Sequence, residues 1–196
     1  MAQKKKKSKK RSEFSQLPKK NKAAPLIDAK VATAAPLTPA VLPSDMEPSL
    51  GNVQKLFEDG LRNDAMIMLN KLPDSTVQDI PLLEELGHKM MSSGEFDNAA
   101  VIHRRWTEVD PDNPRAFNAL GTALVSAKWL EPAHMALQQA VMLSPDNLIY
   151  KFNLAKLYMV RSHWGEARAM LIAMLNKYPE QKSKIDDLLA QFPAGE

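Results

Sequence analysis

None of the 196 residues is a cysteine, which excludes disulfides, thiol catalysis and thiolate metal sites. The chain also has no apolar run of about 18 residues, the length a membrane-spanning helix needs. Its first stretch, MAQKKKKSKKRSEF, carries no apolar segment behind the charges, so it does not read as a secretory signal. A soluble, cytoplasmic protein is the expectation, with nuclear placement open if the source is eukaryotic. The glycine-rich phosphate loops and the nucleophile elbow are missing. The histidines, His88, His103, His134 and His163, do not fall at metal-ligand spacing. Carboxylate pairs such as Glu84/Glu85, Asp186/Asp187 and Glu58/Asp59 are adjacent in sequence. Neighbours point to different faces of a helix and make poor acid–base couples. The expectation is therefore a non-enzyme without metal, cofactor or small-molecule substrate.

What is present is a segregated charge. Residues 1–44 hold eleven Lys/Arg against two acids, a net of +9, whereas residues 45–196 hold fifteen against twenty-one, a net of −6. The basic charge concentrates in Lys4, Lys5, Lys6, Lys7, Lys9, Lys10 and Arg11. From Ala23 to Pro48 the chain is rich in Ala and Pro, with prolines at 25, 36, 39, 43 and 48. Pro forbids helix interiors and strand ladders, and little here could build a core. Residues 1–45 read as a disordered Lys-rich arm with an extended Pro/Ala linker. The lysine run is open to several uses: a solvated tail, an attachment to nucleic acid or ribosome, a contact with an anionic membrane surface, or an import signal. No aromatic residue lies within it, so base stacking is not implied.

The rest of the chain shows helical spacing. Between Pro114 and Asn147, Phe117, Leu120, Gly121 and Leu124 line one amphipathic helix, and Ala133, Leu137 and Ala140 line a second. The pattern recurs upstream with Leu83, Leu86, Gly87, Met90 and Ala99, and downstream with Leu154, Ala155, Tyr158, Ala167 and Leu171. Pro111, Pro145 and Pro179 follow at intervals of 34. This order of large, small and breaker residues resembles the tetratricopeptide repeat (TPR), a helix–turn–helix unit of that length. The expected fold is an all-α TPR solenoid, with repeats over 80–113, 114–147 and 148–181. A degenerate capping repeat over 46–79 precedes them, and a capping helix over 182–193 follows. Gly87, Gly121 and Ala155 are expected where paired helices approach, opposite Ala99, Ala133 and Ala167. His103 and Trp106 depart from the pattern, which favours a large apolar residue and an alanine at those places.

The resemblance implies a concave groove lined by the first helix of each repeat. Its family positions fall here on Glu84, His88, Met91 and Ser92, then Arg115, Asn118, Thr122, Val125 and Ser126, then Ile149, Phe152, Lys156, Met159 and Val160. Phe152, Met159 and Val160 read either as a pocket for an apolar side chain or as packing for the capping helix. Trp129, at the turn of the central repeat, is an edge anchor or folds back on the next repeat. Some TPR domains clamp a terminal carboxylate with Lys and Asn. The matching positions hold Glu84, His88, Ala119, Ile149 and Asn153, and the two cations are missing. The implied function is an adaptor or scaffold holding a peptide segment of a protein partner, with the arm as a second attachment to an anionic partner. The alternatives are a chaperone like the small TPR-type secretion chaperones, which lack a long Lys-rich arm, and a nucleic-acid- or ribosome-associated factor.

Overall fold

In the computed structural model the described residues are 46–73, 77 and 79–193, and the basic arm with most of its linker lies outside them. These residues fold into helices without any strand. In chain order they are α1 (Leu50–Glu58), α2 (Arg62–Lys71), α3 (Ile80–Ser92), α4 (Phe96–Val109), α5 (Pro114–Ser126), α6 (Leu130–Leu143), α7 (Leu148–Val160), α8 (Trp164–Lys177) and α9 (Lys182–Leu189). A short 3₁₀ turn, Pro179–Gln181, leads into α9. The all-helical solenoid expected from the repeats is what the chain forms.

Local signals set each boundary. The first helix of every hairpin begins behind a side chain that accepts a hydrogen bond from a free backbone N–H of the first turn: Ser49, Asp79, Asn113 and Asn147. Pro114 sits just inside the start of α5, where its missing N–H costs nothing. The first helix then closes with a left-handed residue, at Gly60 (φ 78°), Gly94 (75°), Lys128 (67°) and Ser162 (58°). These four positions are spaced by 34 residues. Behind each, the N–H of Leu61, Glu95, Trp129 and His163 reaches back five residues to a carbonyl, over 2.8–2.9 Å. That is the Schellman termination, which satisfies the last carbonyls of a helix and turns the chain sharply. Because Gly60 obeys the same geometry, α1 and α2 form a hairpin of the same kind as the others despite their drifted sequence.

The core is the seam between paired helices. A side-chain carbon added at Gly121 would lie 2.5 Å from Leu137 Cγ and 3.2 Å from the Leu137 backbone nitrogen. At Gly87 it would lie 2.2 Å from His103 Cε1. The small residue in the first helix thus lets the large one in the second seat itself. Ala99, Ala133 and Ala167 are fully buried. One continuous core runs from Leu50 to Leu157. A second joins Phe152, Ala155, Leu171 and Met174 to Ile185 and Leu188 of α9.

The helix α9 continues the frame, since Lys182 lies 34 residues beyond Leu148. Leu189 falls where the repeats carry Gly87, Gly121 and Ala155. The leucine there is partly buried against the C-terminal core. The helix closes at Leu189 rather than running through Phe192, which turns back to meet the ring of Trp164 at 5.4 Å between centroids.

Two stability outcomes are expected. Overpacking a helix seam costs roughly 1–3 kcal/mol, so Gly121→Leu lowers the melting temperature in a circular-dichroism scan; an unchanged midpoint contradicts the seam. A left-handed conformation penalises a residue with a Cβ by roughly 1–2 kcal/mol, partly offset by the freer unfolded chain of glycine. Lys128→Gly therefore raises the midpoint, whereas a fall places Lys128 outside the left-handed region.

Candidate functional site

The first helices α3, α5 and α7 carry the sequence-derived groove residues. Between them lies an open cleft of about 540 Å³, bordered by Glu84, His88, Met91, Asn118, Thr122 and Ile149. His88 is exposed, while Met91, Asn118, Thr122 and Val125 are partly covered. The cleft is ordered by polar ties across the repeats. Arg115 forms an ion pair with Glu84, and Asn153 donates to Asn118 at 2.8 Å. Thr122 donates to the Ala119 carbonyl of its own helix. The cleft's formal charges are thus balanced internally, and hydroxyl, amide and imidazole groups line it.

Along α7 the residues divide. Ile149 and Val160 are 61% and 52% exposed, and Lys156 is also open to solvent. Met159 is half-buried against the C-terminal core. Phe152, expected as part of an exposed pocket, is buried at 3% exposure. It packs with Leu171, Met174, Ile185 and Leu188, and the Lys184 ammonium lies 4.4 Å above its ring. The physical reason is the capping helix: α9 needs an apolar surface to bury Ile185 and Leu188, and Phe152 supplies it. The apolar residue that does face the cleft is Ile149, at the start of the same helix.

Trp129 is not a free anchor either. Its indole N–H donates to the Asp97 carboxylate at 2.9 Å, and its ring packs on the main core. It folds back on the preceding repeat rather than the next one, because Asp97 at the start of α4 offers the carboxylate. This bond is one rung of a series along the turn edge. Arg62 binds Glu95 at 2.6 Å, Trp129 binds Asp97, and Arg161 binds Glu131. Each joins residues 30–33 apart, so each turn is fastened to its neighbour.

His103 and Trp106 occupy the wall behind the cleft. Both are about 1% exposed, with ring centroids 6.1 Å apart, and His88 stands 6.0 Å from His103 on the open side. Burial, with a smaller push from His88, brings the His103 pKa down to about 4. The imidazole is therefore neutral in the folded protein at neutral pH. Among the described residues, no three His, Asp or Glu come together in a way that could hold a metal ion. No described helix is long and apolar enough to cross a membrane. Lys4–Lys7, Lys9, Lys10 and Arg11 lie outside the described residues.

Sequence reasoning missed the Glu84–Arg115 pair and the Asn118–Asn153 bond. Separations of 31 and 35 residues, close to one repeat, are the signal that could have found them.

No protein-family model matches the chain, and no curated protein matches it. Solved structures do. A mutant form of MamA, a TPR-like protein, is similar at 20% identity with a TM-score of 0.50, over 62% of this chain and 88% of that one. MamA of Desulfovibrio magneticus RS-1 is similar at 18% identity with a TM-score of 0.51, over 67% of this chain and 75% of that one. At such identities the likeness concerns the fold, and the fold is that of a TPR-type helical repeat protein.

A pH dependence follows from His103. Its folded pKa lies below the ordinary 6.5, so below that pH the unfolded chain takes up a proton that the native one refuses. Stability from this residue is complete above pH 6.5 and is lost as pH falls toward about 4, by about 3 kcal/mol in total. His103→Leu, with the residue type found at the matching Leu137, should raise the melting temperature and flatten its fall across that range. A variant as pH-sensitive as the parent would contradict this.

Proposed function

We propose that the chain is a non-enzymatic adaptor or scaffold that holds a segment of a partner protein on its concave face. The observation that carries this reading is the open cleft between α3, α5 and α7, where His88, Met91, Asn118, Thr122 and Ile149 border about 540 Å³. Its first helices are tied to one another by the Arg115–Glu84 ion pair and the Asn153–Asn118 hydrogen bond, which favours a face set in place before a ligand arrives. Preorganisation of that kind lowers the entropic cost of capturing a flexible segment. Val125, Lys156 and Met159 extend the same face toward the ends of α5 and α7.

The basic arm supports a second attachment, to nucleic acid or ribosome. Its net of +9 over residues 1–44 stands against −6 for the remainder, which separates the two binding chemistries on one chain. A counterion-release contact by a run of lysines weakens steeply with salt, more steeply than a groove contact that joins few charges to apolar and neutral polar groups. Two attachments on one chain reinforce each other by effective concentration.

The test is affinity capture with mass spectrometry, comparing the full chain, residues 46–196, and full-length Thr122→Arg. Partners lost on placing an arginine in the cleft, and retained without the arm, belong to the groove. Partners lost without the arm, salt-sensitive and nuclease-sensitive, belong to the arm. If Thr122→Arg captures every partner that the parent captures, the concave-face reading is wrong.

A further inference from the structure

The third repeat's first helix carries more apolar residues than its core position requires. Tyr150, Phe152, Leu154, Ala155 and Leu157 of α7 are buried, yet Ile149 and Val160 remain 61% and 52% exposed. Ile149, Lys156 and Val160 are separated by seven and four residues. At 3.6 residues per turn those intervals place all three on one face of the helix. That face reads apolar, cationic, apolar. Its first residue, Ile149, borders the concave cleft.

A second cation flanks this face. Lys184 of α9 lies over the Phe152 ring, one turn before Lys156 on α7. Of the nearby lysines, Lys177 binds Asp146, Lys182 binds Asp186 at 2.7 Å, and Lys151 lies 5.7 Å above the Tyr178 ring. Among the described residues, Lys156 and Lys184 form no ion pair with a carboxylate. The cleft itself is balanced, because Arg115 and Glu84 neutralise each other. At the α7–α9 end of the face Lys156 and Lys184 thus stand without a salt bridge, on a folded part that is acidic as a whole.

We infer that the Ile149–Lys156–Val160 face of α7, with Lys184 beside it, docks an acidic–apolar segment of a partner protein. Leucine-type side chains of that segment cover Ile149 and Val160, and its carboxylates meet the two lysines. Cations set between apolar contacts favour such a segment over a neutral or basic one, because a wrong charge there is repelled as it is desolvated. This assignment rests on the concave-face reading, and narrows it to one class of ligand.

The experiment uses the full chain and two fluorescein-labelled amphipathic peptides, one built of Leu and Glu, its twin with Gln in place of Glu. Fluorescence anisotropy reads affinity. Lys156→Gln/Lys184→Gln should weaken the Leu/Glu peptide about tenfold and leave the Leu/Gln twin nearly unchanged. Ile149→Ser/Val160→Ser should weaken both peptides. Circular dichroism confirms folding, and Ile149→Ala/Val160→Ala replaces the serine pair if that pair fails to fold. Equal affinity of the Leu/Glu peptide for the lysine variant and the parent overturns the inference. So does unchanged affinity in the apolar variants. If Thr122→Arg abolishes partner capture while the lysine variant retains it, this inference fails and the groove reading stands. If Thr122→Arg captures everything, the groove reading fails first.

Discussion

The two helices of each hairpin must approach closely enough for side chains to interlock across them, and one small residue per repeat permits it. Gly121 leaves room for Leu137, and Gly87 leaves room for the ring of His103. Interiors are packed as densely as organic crystals, so a methylene too many at that point moves a helix rather than compressing it. Every other feature depends on this contact. The Schellman turns at Gly60, Gly94, Lys128 and Ser162 aim the second helix at the first. Leu189, large where the others are small, packs against the C-terminal core instead.

Once hairpins exist, they need only bind their neighbours. The side-chain ties between repeats span 30–35 residues: Arg62 to Glu95, Trp129 to Asp97, Arg115 to Glu84, Arg161 to Glu131 and Asn153 to Asn118. Such nearest-neighbour economy is how solenoids hold an extended surface without one central core. It also gives the proposed binding face its character. The ties consume the charges of the cleft, while α7 keeps Ile149, Lys156 and Val160 free of such duties.

The fold was legible because helical periodicity, small residues and prolines recur in one register. The hairpin of α1 and α2 was harder to see. It lacks the Leu–Gly pair and the closing Pro, and only Gly60, Ala65 and Leu69 keep the frame. The site was less legible. A stripe position predicts which way a residue faces within its own helix, but not what packs over it. Phe152 satisfies the groove pattern and is nevertheless taken by α9, because the last repeat must bury its open end. Trp129 has the profile of an interface anchor, yet an aspartate 32 residues earlier claims its N–H. His103 interrupts an apolar pattern, and the glycine that makes room for it is visible only when α3 and α4 lie together.

The central claim is that one register binds α1 through α9 into a single stack. Native-state amide hydrogen exchange of the full chain, read by NMR, tests it most directly. The account predicts slow exchange in the interior of every long helix from α1 to α8, with Val53, Leu69, Leu120 and Leu154 protected together, and faster exchange at the hairpin turns. Exchange of Val53 and Leu69 at unfolded-chain rates while α3–α8 stay protected would contradict it, and would leave the first hairpin outside the stack.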